Sequence, residues 1–271
     1  MTTEHSRSVS VRSVRFCKVD GSPRVDDDTL VIEEPIELRV DDRSLAVLMR
    51  TPGHDEELAL GFLLSEGFID DESAVAGIRP CSHSGPEGNV LRIGLADGAR
   101  GLFLERTRGA ERSIVAGASC GVCGRASIDA LTQTCVPFPN VRVPGPALLA
   151  VAEAQLRDGQ AVFAQTGGLH GAALLDGTGN CLAVREDIGR HNAVDKLIGS
   201  FLLTATPIPS DGLLVVSSRV SFEIIQKAWR AGIRMVAGVG AASTLAIDLA
   251  GTANIYVAWF LRPGSWNEVA P

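Results

Sequence analysis

A chain of 271 residues that is 45% hydrophobic and 21% charged has the composition of folded globular protein, which excludes wholesale disorder. Its formal net charge of -7 argues against nucleic acid as the main partner. Residues 1–20 are polar and charged, and the most apolar stretches are broken by glycine, serine and aspartate, so neither a signal peptide nor a membrane span is expected, and the cytoplasm is the expected setting.

In chain order, the first half reads mostly as strand. Residues 9–19 alternate, and so do residues 29–40, with Pro35 interrupting an extended run. Residues 44–49 form a compact apolar segment. Pro52 and Gly53 then make a turn, Asp55 is suited to cap a helix, and Glu56 and Glu57 suit its first turn. Leu58, Phe62 and Leu63 fall on one face of that helix and Gly67 ends it. Residues 89–95 and 101–105 read as two strands around the Asp97-Gly98 turn.

Four prolines, Pro137, Pro139, Pro144 and Pro146, mark a change of composition and the expected boundary between a β-rich N-terminal domain (1–136) and an α/β C-terminal domain (145–271). Beyond it come a helix over 147–158 stopped by Gly159, a hairpin of 171–175 with 181–184, and a helix over 192–203. Residues 212–217 form a continuous apolar strand of the kind that a central sheet buries on both faces. Further elements at 221–231, 234–237, 243–250 and 255–260 complete an α/β pattern with a mixed or parallel sheet.

Of the six cysteines, Cys17, Cys81, Cys135 and Cys181 stand singly and read as small buried hydrophobes. Cys120 and Cys123 differ. In Ser119-Cys120-Gly121-Val122-Cys123-Gly124 the glycines let the backbone bend tightly, and the residues after Gly124 read as the opening of a helix. A helix start and the neighbouring Arg125 both favour the thiolate, which is the nucleophile and the sulfur carrier. One such pair supplies only two of the four ligands a structural zinc needs. His54-Asp55-Glu56 followed by Cys-x-x-Cys does echo a zinc-deaminase signature, but Ser119 stands where that signature has proline, so a zinc deaminase is the weaker rival and no metal site is expected.

Two strand ends lead straight into helices, one through Ser217, Ser218, Arg219 and Ser221, the other through a small-residue loop to the cap candidates Ser243 and Thr244. Such junctions suit anions, although plain capping explains serine equally well. The last strand ends in Phe260-Leu261-Arg262-Pro263-Gly264-Ser265, where an arginine beside a Pro-Gly turn suits a phosphate or a base. His170 lies in a glycine-rich turn. His191 follows the dense charge of Arg185, Glu186, Asp187 and Arg190, which balances a functional reading against an ordinary structural one.

Taken together the motifs resemble the FdhD family of formate dehydrogenase accessory sulfurtransferases. The matching residues run from Arg50-Thr-Pro-Gly-His-Asp-Glu-Glu-Leu through the Cys120 motif and Thr166-Gly-Gly-Leu-His-Gly to Arg185-Glu-Asp-Ile-Gly-Arg-His-Asn and Ser218-Arg-Val-Ser-Phe-Glu, in the family's order. The resemblance implies a homodimeric cytoplasmic sulfur carrier with a cytidine-deaminase-like second domain. Cys120 would take persulfide sulfur from a cysteine desulfurase and pass it to a molybdenum bis(molybdopterin guanine dinucleotide) cofactor, activating formate dehydrogenase, with Cys123 as the second cysteine of the pair. It further implies that residues 260–265, with Ser218, Arg219 and His191, bind that cofactor as substrate, and that GDP-like nucleotides mimic it. A cofactor chaperone with incidental cysteines is the non-enzymatic alternative. The chain departs from the family's pattern at Ser218 and His54, and in the wording of residues 238–242.

Overall fold

A computed structural model describes residues 8–17, 21, 24–81, 89–107 and 135–269. Strands β1 (Val9–Phe16) and β2 (Arg24–Val31) form an antiparallel hairpin. Strands β3 (Glu34–Val40), β4 (Arg43–Arg50), β5 (Val75–Pro80) and β6 (Val90–Leu95) form a second sheet in the order β4-β3-β6-β5. Pro35 is tolerated inside β3 because it is paired to Met49 of β4, while pairing to β6 on the other side starts only at Glu37. Helix α1 (Asp55–Ser65) leaves β4, and α2 (Ala99–Thr107) follows β6.

The remaining elements are α3 (Pro146–Asp158), α4 (Ala161–Thr166), β7 (His170–Leu175), β8 (Cys181–Asp187), α5 (Arg190–Leu203), β9 (Leu213–Val216), α6 (Phe222–Arg230), β10 (Met235–Gly238), α7 (Thr244–Ala253), β11 (Tyr256–Arg262) and β12 (Ser265–Glu268). Their six-stranded sheet has the order β12-β11-β10-β9-β7-β8, with β9, β10 and β11 parallel and the other pairings antiparallel. The class is therefore α/β with a mixed sheet, as the sequence implies. No helix among the described residues is long and apolar enough to cross a membrane.

Strand periodicity explains how the sheet is covered. Leu174, Leu214, Val216, Val236 and Val257 point to one face, where α1, α5, α6 and α7 and the inner side of the four-stranded sheet join a single apolar cluster. Leu175, Leu213, Val215, Met235 and Ala258 point to the other face, onto Leu149, Ala152 and Leu156 of α3. The proline-rich stretch between the halves lies against the second: Trp229 Nε1 donates to the Val136 carbonyl (3.1 Å), and Asn254 Nδ2 to that of Phe138 (2.7 Å).

Three local expectations are corrected. Residues 101–105 lie in helix α2, not in a strand: Phe103 and Thr107, four apart, turn inward while Leu102 and Leu104 stay exposed, a helical rather than a two-residue spacing. The N-cap position of α1 is held by His54, in the left-handed region at φ 58° and with no side-chain capping bond among the described residues, while Asp55 is the first helical residue with its carboxylate held by Arg50 Nε at 2.9 Å. Nor does α1 present a single apolar face, since residues 57–65 are all buried. It crosses α5 at glycines. A Cβ on Gly61 would stand 1.8 Å from the Asp195 carbonyl oxygen, and one on Gly199 would stand 1.8 Å from that of Glu57. Only hydrogen at both positions lets the two backbones touch.

Candidate functional site at one end of the six-stranded sheet

The charged residues of the motif segments divide into two groups. The first group forms a buried seam around α5. Asp187 is fully buried, and its Oδ2 lies 2.7 Å from Lys196 Nζ and accepts the Thr51 backbone N–H (3.1 Å). Its Oδ1 accepts the Gly189 N–H (2.8 Å) and Asn192 Nδ2 (3.0 Å). Lys196 also donates to the Thr51 carbonyl (2.8 Å), and Asn192 to that of Met49 (2.8 Å). Arg185 grips Glu57 with both fork nitrogens, at 2.5 and 2.7 Å, and His54 Nδ1 sits 3.2 Å from the same carboxylate. Burial raises the Glu57 pKa, but Arg185 and then His54 outweigh it and hold the carboxyl below its usual range. Glu186 accepts the backbone N–H groups of Val162 and Phe163 (2.9 and 2.8 Å) at the start of α4. Lys227 bridges Asp195 (2.9 Å) and Glu66 (3.0 Å). The charge density ahead of α5 is thus largely structural: Arg185, Glu186 and Asp187 are all occupied within the protein.

The second group gathers where β9, β10 and β11 end. Because β7 is antiparallel to β9, and β8 to β7, His170 at the start of β7 and Asp187 at the end of β8 share that edge. Helices α5, α6 and α7 all begin there, so three helix N-termini face the same end. The loops after β9 and β10 are zipped together. The Val220 N–H donates to the Ala241 carbonyl (2.9 Å), Gly240 to Ser218 (3.0 Å) and Ser243 to Val220 (3.1 Å). Gly240 permits this approach, since a Cβ there would meet the Arg219 backbone nitrogen at 2.8 Å. The Phe260 N–H adds the third loop by donating to the Gly240 carbonyl (3.0 Å).

The singled-out residues that lie among the described ones have definite places. His191 is in the first turn of α5, with Nε2 buried, without a hydrogen bond among the described residues and 3.8 Å from Glu223 Oε2. Burial, then the charges of Lys227 and Arg190, push its pKa down to about 4. His170 is lowered for the same leading reason, burial, with Arg190 adding to it. Arg190 Nε is also buried without a hydrogen-bond partner among the described residues. Ser218 is buried, and its hydroxyl donates to the Arg219 carbonyl (3.0 Å), while the Arg219 side chain is exposed. Ser243 does cap α7, accepting the Ala246 N–H (3.2 Å).

The C-terminal segment turns sharply at this end. A bulge separates Trp259 from Arg262, and Phe260 is left-handed (φ 51°) and 47% exposed. Leu261 is fully buried in the α3-side core. Arg262 is exposed and donates to the Val239 carbonyl (3.0 Å), tying the last strand to the loop after β10. Pro263 and Gly264 (φ 77°) occupy the central positions that a type II turn assigns to them, and Ser265 opens β12. His191, Ser218, Arg219 and residues 260–265 therefore stand at one end of one sheet. Cys120 and Cys123 lie outside the described residues. Glu223, which sequence reasoning gave no role, belongs to this cluster; its signal was an acidic residue in the first turn of a helix that opens from the same strand end.

Comparison with known proteins decides the family. The profile of the FdhD/NarQ family matches residues 31–269. This chain belongs to the FdhD/NarQ family. Among similar relatives, the sulfur carrier protein FdhD of Streptomyces coelicolor is 42% identical over 276 residues, covering 99% of this chain and 94% of the relative. That of Anaeromyxobacter dehalogenans is 43% identical over 251 residues, covering 90% and 87%. A crystal structure from Desulfotalea psychrophila, described as a candidate formate dehydrogenase accessory protein, has the same fold, with a TM-score of 0.75, 20% identity and 96% of each chain covered.

Proposed function

We propose that this FdhD/NarQ member is a cytoplasmic, homodimeric sulfur carrier that serves formate dehydrogenase. The observation that carries the reading is the near full-length similarity to relatives named sulfur carrier protein FdhD, 42% identical in the Streptomyces coelicolor case. In the proposed reaction the Cys120 thiolate attacks the outer sulfur of a cysteine desulfurase persulfide. The donor's S–S bond breaks, the donor cysteine leaves as thiolate, and Cys120 carries the sulfur as its own persulfide. The Cys120 S–S bond then breaks, Cys120 returns as thiolate, and the outer sulfur, taking two electrons from the reduced metal of the substrate, becomes a ligand of molybdenum in a bis(molybdopterin guanine dinucleotide), with Cys123 as the second cysteine of the motif.

The sheet end suits such a substrate. Three helix N-termini, Arg219, Arg190 and Arg262 offer positive charge to phosphates, and the exposed Phe260 ring offers a face to a base. His191 and Arg190 each hold a buried nitrogen that no group among the described residues satisfies. A bound anion would satisfy both.

The test is activation of formate dehydrogenase in cells whose only copy of this protein carries Cys120→Ala. The expected outcome is loss of activation with the unfolding midpoint unchanged. Full activation would replace the carrier reading with that of a cofactor chaperone.

A further inference from the structure

On the four-stranded sheet, the face turned away from the core carries a row of arginines. Arg39 of β3 pairs in register with Arg92 of β6, and Arg92 pairs in register with Arg79 of β5. The residues that alternate with them, Leu38, Leu91 and Ile93, are 0–2% exposed and point inward, so the three guanidinium groups share the outer face. Adjacent strands lie about 4.8 Å apart, which places three like charges side by side, an arrangement that destabilises a sheet. The available counter-charge is thin. Glu37 meets Arg39 at 2.7 Å, and Asp42 reaches Arg92 at 3.5 Å with both side chains more than half exposed. Arg79 is exposed and has no carboxylate within ion-pair distance among the described residues. On the same face, Val47 (38% exposed) and Met49 (44%) stand opposite Glu37 and Pro35.

Among the described residues, this sheet packs on the core through its other face. Its inward residues do the packing, and its arginines repel one another on a chain whose net charge is -7. We propose that the outer face of β3, β6 and β5 is a docking surface for an acidic segment of a partner protein. Arg92 and Arg79 grip its carboxylates beside Arg39, which Glu37 already holds, and Val47 and Met49 receive an apolar flank. Charge complementarity argues for the acidic partner, since guanidinium forks in a row match successive carboxylates bidentately. The apolar flank of Val47 and Met49 favours a peptide over a nucleic acid in that place. The surface is separate from the sheet-end residues, so the proposal stands whether or not the sulfur-carrier reading does.

The experiment is fluorescence anisotropy of a fluorescein-labelled deca-glutamate peptide titrated with the full chain, beside the double variant Arg79→Gln/Arg92→Gln. Expected are salt-sensitive binding by the wild type and a loss of about tenfold or more in the variant. GDP binding should be unchanged in the variant. Its urea midpoint should be equal to or higher than that of the wild type, because opposed like charges have been removed. Equal peptide affinity in the two proteins would overturn the proposal, as would a lower midpoint, which would make the row structural. Tighter binding by a deca-deoxythymidine oligonucleotide, lost in the same variant, would also overturn it in favour of a phosphate-reading surface.

Discussion

The seam around α5 and the end of the six-stranded sheet are built from the same kinds of residue, yet their chemistry differs. In the seam, Asp187, Lys196, Arg185 and Glu57 all have partners within 3.1 Å, and Asp187 and Lys196 are buried to 1% exposure or less. At the sheet end, Arg190 Nε and His191 Nε2 are buried without a hydrogen bond among the described residues, and Arg219 is exposed. A satisfied charge fixes structure, whereas an unsatisfied one is available to a ligand. One motif, Arg185 to Asn192, feeds both regions, so a charged motif alone does not say which role each of its residues has.

The comparison is most severely tested in the seam. Lys196→Met should lower stability by about 3–5 kcal/mol in urea unfolding, because Asp187 would be left buried without its counter-ion. A loss within ~0.5 kcal/mol, typical of a surface change, would remove the structural role assigned to the seam. Next, Gly199→Ala should cost about 3 kcal/mol, since its Cβ would stand 1.8 Å from the Glu57 carbonyl oxygen. Gly251→Ala in α7 has open space around it and should instead gain about 0.5–1 kcal/mol. If the two alanine variants behaved alike, the close crossing of α1 and α5 would be wrong.

The sheet end should respond to pH and to ligand. His191 is held neutral when folded, with its pKa pushed down to about 4 from 6.5, so the unfolded chain takes up the proton first. The His191 contribution to stability should therefore be lost as pH drops from about 6.5 towards 4, by ~3 kcal/mol. His191→Phe should flatten the slope, and an unaltered slope would assign the titration elsewhere. The smallest effect on stability is expected for Arg262→Ala, within ~0.5 kcal/mol of wild type. It should nevertheless weaken GDP about tenfold, about 1.5 kcal/mol, by removing a charge-assisted contact. Unchanged GDP affinity in a calorimetric titration would take Arg262 out of the site.

What the sequence makes legible follows from the range of the interactions. The continuous apolar run in β9 reads as a central strand because both of its neighbours are supplied by the sheet itself. Strand ends that lead directly into helices at Phe222 and Thr244 read as one face of that sheet by local pattern alone. The seam is hidden because Thr51 and Asp187 are distant in the chain and meet only through α1 and α5. All-round burial of α1 is hidden for the same reason, since it depends on Gly61 and Gly199 meeting across two helices. The strand expected at residues 101–105 failed because Leu102, Phe103 and Leu104 fit either period, and only burial of Phe103 together with Thr107 decides for a helix.

The most direct test of the central claim is the intact mass of the protein after incubation with a cysteine desulfurase and cysteine, measured beside Cys120→Ala. The carrier reading requires the gain of one sulfur on the wild type, removable by a reducing agent and absent from the variant. No gain on the wild type, or the same gain on both proteins, would contradict the assignment of sulfur transfer to Cys120.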